Sequence, residues 1–290
     1  MPALSRKAVQ PLISAALRED RARRDLTSQR VIPSGVRVRA RIIAKAHGVA
    51  AGVNIAARVF AAVDPSLHCR ILTHSGAKLS PGKTILTVEG RARSVFAAER
   101  TALNFLGHLC GIATLTRQYV ERTRGTRAQI FDTRKTLPGL RALEKDAVLA
   151  GGGHSHRADL AEAVLIKTNH LKAATSDMRH ATREQVIQRL VAKAKLARPR
   201  RFVEIEVTSL PEFKAALKAR PDAILLDNWP RANLRKAVSL RKGTRPIIEV
   251  SGGITLNNVR RVAGVGVDRI SIGRLTHSAP TLDVSLQMLL

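Results

Sequence analysis

The chain has 290 residues, 44% of them hydrophobic, which is enough for a packed core and excludes a disordered polymer. Fifty Lys and Arg against 22 Asp and Glu leave a formal charge of +28, and 36 of the 50 are Arg. Such a balance points to anionic ligands: nucleic acid, an acidic membrane surface, or small phosphates and carboxylates.

Two cysteines, Cys69 and Cys110, are too few for a disulfide framework or a four-ligand zinc site, and read as small buried hydrophobes in a reducing compartment. The first twenty residues lack the long apolar stretch and small-residue cleavage site of a secretory signal. No run approaches the roughly 18 apolar residues of a membrane helix. A soluble, cytoplasmic protein is expected.

Val36 to Ile42 alternates apolar and cationic residues, the period of a strand with one wet face. Leu67–Leu72 and Thr84–Glu89 read as two more strands joined around Ser80-Pro81-Gly82. From Ser94 to about Arg122 the pattern is helical, with Ala98, Ala102, Phe105, Leu106 and Leu109 on one stripe. From residue 128 short apolar runs recur at 128–132, 163–167, 201–207, 223–227, 246–250 and 268–273, with amphipathic segments between most of them. The clearest of these segments is Thr182 to Ala197, where Thr182 caps and Gln185 follows three later. Alternation of near-continuously apolar strands with helices predicts a buried parallel sheet. Six strands are too few for an eightfold barrel, so a partial barrel is expected.

Each apolar run ends in chemistry. The first runs into Asp132-Thr133-Arg134-Lys135, the second into Lys167, the third into Glu206 and the fourth into Asp227. The fifth reaches Ser251-Gly252-Gly253 and the sixth Ser271-Ile272-Gly273. Polar groups at the carboxyl ends of successive parallel strands meet at one mouth, as an α/β-barrel active site requires. Ser251-Gly252-Gly253 followed by a helix from Leu256 would offer backbone N–H groups and a helix dipole to a phosphate. Arg134, Lys135, His156, Arg157 and Lys167 would grip carboxylates or phosphates, with Gly151-Gly152-Gly153 turning the backbone before them. Glu206 and Asp227 could hold Mg²⁺ through oxygens or water, or stabilise a sugar cation. Gly76 to Thr84 departs from P-loop spacing, and His154-Ser155-His156 has no companion metal-site pattern.

The stretches AERTALNFL (98–106), DTRKTLPGLRALEK (132–145), GGGHSHR (151–157), LIKTNH (165–170), VEIEV (203–207), ILLDN (224–228), SGGI (251–254) and LTHSAP (275–280) resemble the quinolinate phosphoribosyltransferase family, the carboxylating nicotinate-nucleotide pyrophosphorylases. The likeness covers nearly the whole chain, in order. It implies an α/β fold: an N-terminal α/β sandwich, an incomplete parallel α/β barrel, and a C-terminal tail returning to the first domain. The expected bounds are 1–110, 111–275 and 276–290. It implies transfer of phosphoribosyl from phosphoribosyl pyrophosphate to quinolinate with decarboxylation, using Mg²⁺, in a homodimer or larger homo-oligomer. By position, Arg100, Arg134, His156, Arg157 and Lys167 match the family's quinolinate-binding residues, with Arg100 reaching in from a partner subunit. Lys135, Glu206 and Asp227 match its phosphoribosyl pyrophosphate and metal groups, and the turns at 251–253 and 271–273 match its 5-phosphate site.

Two positions depart from that pattern: the family usually has Tyr at Asp146 and Asp at Thr168. Thr168 removes a carboxylate beside Lys167, which predicts an altered Mg²⁺ requirement. It also keeps open the alternative of a related paralogue with another substrate. Incidental nucleic-acid binding through the charge is the other alternative. Only 3% aromatic residues, no recognised binding motif and dispersed basic residues argue against it.

Overall fold

The structure, a computed structural model, describes residues 6–178 and 181–289. Residues 1–5, the head of the segment read for a signal, lie outside the described residues, as does 290, the end of the predicted tail. The chain divides into two compact units, Met1–Arg117 with Lys135–Gly153 and Arg274–Leu290, and Gln118–Arg134 with His154–Gly273.

In the first unit, Arg37–Ala44 pairs antiparallel with Thr84–Arg91 on one side and Val284–Leu289 on the other, and His68–Ile71 completes a four-stranded sheet. The alternation in the sequence decides its two faces. Ala40 and Ile42 oppose Val88 and Leu86 and are fully buried, while Arg37, Arg39 and Arg41 turn the other way. The connection between His68–Ile71 and Thr84–Arg91 is longer than a hairpin, because Lys78–Leu79 leaves to pair with Gly48–Val49. The Ser80–Lys83 turn itself forms, with the Lys83 amide donating to Ser80 O at 3.0 Å.

The long helix Ala92–Thr123 carries two close approaches within this unit. A Cβ at Gly111 would lie 2.1 Å from Pro280 O, and the Leu282 amide donates to Gly107 O at 3.0 Å, so the C-terminal segment lies directly against the helix. On Gly151 a Cβ would stand 2.5 Å from Ala113 O, and Arg117 Nε donates to Gly151 O at 2.8 Å. The glycine run therefore serves close packing on this helix, and Lys135–Gly153 goes with the first unit.

The second unit is a six-stranded parallel sheet of Gln129–Phe131, Ala163–Ile166, Phe202–Val207, Ala223–Asp227, Ile247–Ser251 and Arg269–Ser271. Numbered along the chain, the strands lie in the order first, sixth, fifth, fourth, third, second. That is the cyclic order of a barrel with one seam, between the first and second strands. At the seam the His154 amide donates to Ile130 O at 2.8 Å and the Asp132 amide to His154 O at 3.0 Å. The barrel is incomplete, as expected. Two of its helices open on side-chain caps: Thr182 and Gln185 form a reciprocal capping box, and Ser209 caps Leu210–Ala219. No helix among the described residues is long and apolar enough to cross a membrane.

Candidate active site

Strand periodicity sets which side chains share a face of the barrel strands. Along Phe202–Val207, Val203, Ile205 and Val207 are fully buried on one face, so Glu204 and Glu206 share the other. Glu206 pairs with Leu225, two residues before Asp227, and Asp227 pairs with Ser251. Lys167 directly follows Ile166 at the end of the second strand, and its side chain is exposed. The predicted groups at the carboxyl ends thus occupy one end of one sheet.

Arg134 and Arg157, both half-buried, are brought close enough to repel. Burial, with the Arg134 charge added, lowers the Arg157 guanidinium below its ordinary value, and Glu204 acts against both. Arg157 is held by a hydrogen bond from Nη1 to Ala163 O at 3.1 Å, whereas Arg134 Nε is buried without a partner. Two guanidinium groups in that state form a receptor for anionic oxygens.

Beneath them lies a cluster that the end-of-strand reading missed. Glu204 and Glu249 are 1% and 0% exposed, and His156 Nε2 stands 3.0 Å from Glu204 Oε2 and 3.3 Å from Glu249 Oε1. Arg269 lies 3.9 Å from Glu249 and stacks over Phe131 and Phe202 at 4.6 and 5.2 Å. Among the described residues, His156, Glu204 and Glu249 are the one group with metal-ligand spacing, their atoms lying within 4.8 Å of one another. The protein itself offsets the acids, with the Arg269 guanidinium beside Glu249 and an imidazole N–H turned toward both. Burial opposes charging the ring, but Glu204 and Glu249 outweigh it and push His156 up to about 10. Burial and the Glu249 charge push Glu204 up as well. In the geometry seen, His156 Nδ1 accepts from the Arg157 amide at 2.8 Å, so the ring proton sits on Nε2. The fully charged ring forms only when that contact opens. His154 stacks on Phe131 with the ring centres 5.2 Å apart.

The two predicted acids are held by neutral donors. Thr168 donates its hydroxyl to Glu206 Oε1 at 2.7 Å and its amide to the same oxygen at 3.3 Å. Asp227 Oδ1 accepts from Ser251 Oγ at 2.5 Å and Oδ2 from Asn228 Nδ2 at 2.9 Å. Both carboxylates are half-buried, with lone pairs left for a cation or for bound water.

Gly252 and Gly253 both have positive φ, +85° and +60°. A Cβ on Gly252 would fall 2.3 Å from Asn228 Oδ1, so the turn needs glycine there. The helix expected from Leu256 opens only at Val259 and is five residues long. Asn258 Oδ1 accepts from the Thr255 amide at 2.9 Å, capturing a local turn in place of a helical start. The phosphate argument therefore rests on the glycine turn, without the helix dipole. Ser271 and Ile272 are buried at the end of the sixth strand, where the Ile272 amide donates to Phe131 O at 2.9 Å; Gly273 follows half-buried. Arg100 and Lys135 are exposed residues of the first unit. Cys110 is buried, with its Sγ accepting from the Ala51 amide, and burial pushes it up to about 11, as suits a packing residue.

The signals for the missed cluster were present in the sequence. Glu204 stands two residues before Glu206, and Glu249 interrupts the apolar run 246–250.

The family description "Quinolinate phosphoribosyl transferase, N-terminal domain" matches residues 25–110, and its C-terminal counterpart matches residues 112–287. The chain is 42% identical over 286 residues to the nicotinate-nucleotide pyrophosphorylase [carboxylating] of Mycobacterium leprae, covering 97% of each chain. It is 36% identical over 273 residues to the probable nicotinate-nucleotide pyrophosphorylase of Bacillus subtilis, covering 94% of this chain and 90% of that one. The crystal structure of NadC from Streptococcus pyogenes superposes with a TM-score of 0.90 at 37% identity, with all of both chains covered. These likenesses do not favour the paralogue or the nucleic-acid alternative.

Proposed function

The chain belongs to the quinolinate phosphoribosyltransferase family, and we propose that it converts quinolinate and phosphoribosyl pyrophosphate to nicotinate mononucleotide, pyrophosphate and CO₂. The observation that carries the reading is the charge arrangement at one end of the barrel sheet. Glu206 and Asp227 stand half-buried at the carboxyl ends of their strands, and Arg134, just past the end of the first strand, is crowded by Arg157.

In this reading Arg134 and Arg157 receive the pyridine dicarboxylate, His156 holds the Arg157 peptide behind them, and Lys167 adds charge at the rim. The Gly252–Gly253 turn, with Ser251 and the 271–273 segment, receives the ribose 5-phosphate. The pyridine nitrogen attacks C1 of the ribose as pyrophosphate departs, and positive charge develops on the sugar. Glu206 and Asp227, fixed by Thr168 and Ser251, face that charge. The pyridinium formed holds the electron pair left on its neighbouring carbon as the C–CO₂⁻ bond breaks, so CO₂ leaves without a covalent enzyme intermediate and a proton from water adds to that carbon. Lys135 stands beside Arg134 in sequence to meet the pyrophosphate.

The hard-oxygen donors of Glu206 and Asp227 fit Mg²⁺. When bound, the ion would neutralise the leaving pyrophosphate. A homodimer or larger homo-oligomer, in which Arg100 enters a neighbouring site, and a cytoplasmic setting complete the proposal; the exposure of Arg100 is compatible with that role. The deciding assay supplies purified protein with quinolinate, phosphoribosyl pyrophosphate and Mg²⁺, and scores nicotinate mononucleotide and released CO₂ in equal amounts. Absence of both products from folded protein would refute the assignment.

A further inference from the structure

We propose that Glu204 and Glu249, buried within the barrel, are positioning residues that fix the His156 ring and, through its Nδ1, the backbone of Arg157 where a substrate carboxylate is received. The identity of that carboxylate rests on the quinolinate reading above; the positioning itself rests on geometry.

Two acids that are 1% and 0% exposed are costly to bury unless they are compensated. Their compensation is incomplete as hydrogen bonding goes: Glu204 Oε1 and both oxygens of Glu249 are buried without a hydrogen-bond partner. What they do share is His156 Nε2, at 3.0 and 3.3 Å. Arg269 balances charge from the far side, 3.9 Å from Glu249, and its stacking on Phe131 and Phe202 keeps it there.

His156 is thereby held at three points. Its Nε2 faces the two acids, its amide donates to Asp132 Oδ1 at 2.8 Å, and its Nδ1 accepts from the Arg157 amide at 2.8 Å. Asp132 is fully buried at the end of the first strand, so the anchor is rigid. The last contact ties the peptide of residue 157 to the plane of the ring. Rotating the ring would release that peptide and swing the Arg157 guanidinium, whose Nη1 is otherwise fixed on Ala163 O. The acids thus act on the substrate carboxylate through two intermediaries without touching it.

The test uses the full-length Glu204→Gln and Glu249→Gln variants, which keep shape and remove charge. Each is expected to raise the KM for quinolinate about tenfold while the KM for phosphoribosyl pyrophosphate stays within about twofold. The ¹⁵N resonances of His156 should also leave the Nε2–H tautomer pattern of the unaltered protein. A purely structural role would instead lower the folded fraction, leaving both KM values alike. Unchanged quinolinate KM and unchanged His156 resonances in both variants overturn the inference. If the unaltered protein makes no nicotinate mononucleotide, the activity reading fails, and the His156 resonances alone then decide the positioning: a changed tautomer supports it and an unchanged one overturns it.

Discussion

Thr168 holds Glu206. Its hydroxyl and amide both donate to Oε1, at 2.7 and 3.3 Å, so this residue orients one of the two proposed sugar-facing acids. A neutral donor at this place fixes the carboxylate without adding a second negative charge beside it.

Thr168→Val keeps the shape and removes the hydroxyl. A hydrogen bond to a charged group contributes about 1.5–3 kcal/mol, so kcat/KM for phosphoribosyl pyrophosphate should fall about ten- to a hundredfold. Thr168→Asp should lower the Mg²⁺ concentration needed for half-maximal rate, because a second carboxylate beside Glu206 adds negative charge that a divalent cation offsets. Steady-state rates across a Mg²⁺ titration check both, and an identical Mg²⁺ profile in Thr168→Asp would contradict the argument.

Arg134→Ala and Arg157→Ala each remove one fork of the carboxylate receptor. Each should raise the KM for quinolinate by about ten- to a hundredfold. Thermal stability should hold or rise slightly in Arg134→Ala, since Arg157 loses a like-charged neighbour and the buried Arg134 Nε has no partner to lose. Calorimetric titration with quinolinate, beside a melting curve, separates the two effects.

Gly252→Ala adds a Cβ 2.3 Å from Asn228 Oδ1 at a φ of +85°. The strained backbone should cost on the order of 1–3 kcal/mol. The KM for phosphoribosyl pyrophosphate should rise while the KM for quinolinate changes little. Urea unfolding and the two KM values read the outcome, and a rise confined to quinolinate would remove the turn from the phosphate site.

Much of this site was legible in the sequence because buried parallel strands are short apolar runs and their ends are marked by the first polar residue. Glu206, Asp227 and Ser251 fall on strand ends and are held there by their neighbours. Glu204, Glu249 and Arg269 escaped because their strands do not end at them; only the period-2 alternation, followed inward, would have disclosed them. The helix after Gly253 was misplaced because Asn258 competes for the Thr255 amide, a side-chain contact that periodicity does not register. Gly151-Gly152-Gly153 reads in the sequence as a backbone turn and forms one at Gly152, but the close approach of the long helix that also requires Gly151 and Gly153 to be small leaves no local signal.

The pairing of Arg37–Ala44 with Val284–Leu289 has a consequence for biosynthesis. Until the ribosome has passed through the entire barrel, one side of this central strand stands as a raw border with its amides and carbonyls unclaimed. Arg37, Arg39 and Arg41 line that strand, and their mutual repulsion between copies would discourage nascent chains from adhering to one another before the last strand closes the seam.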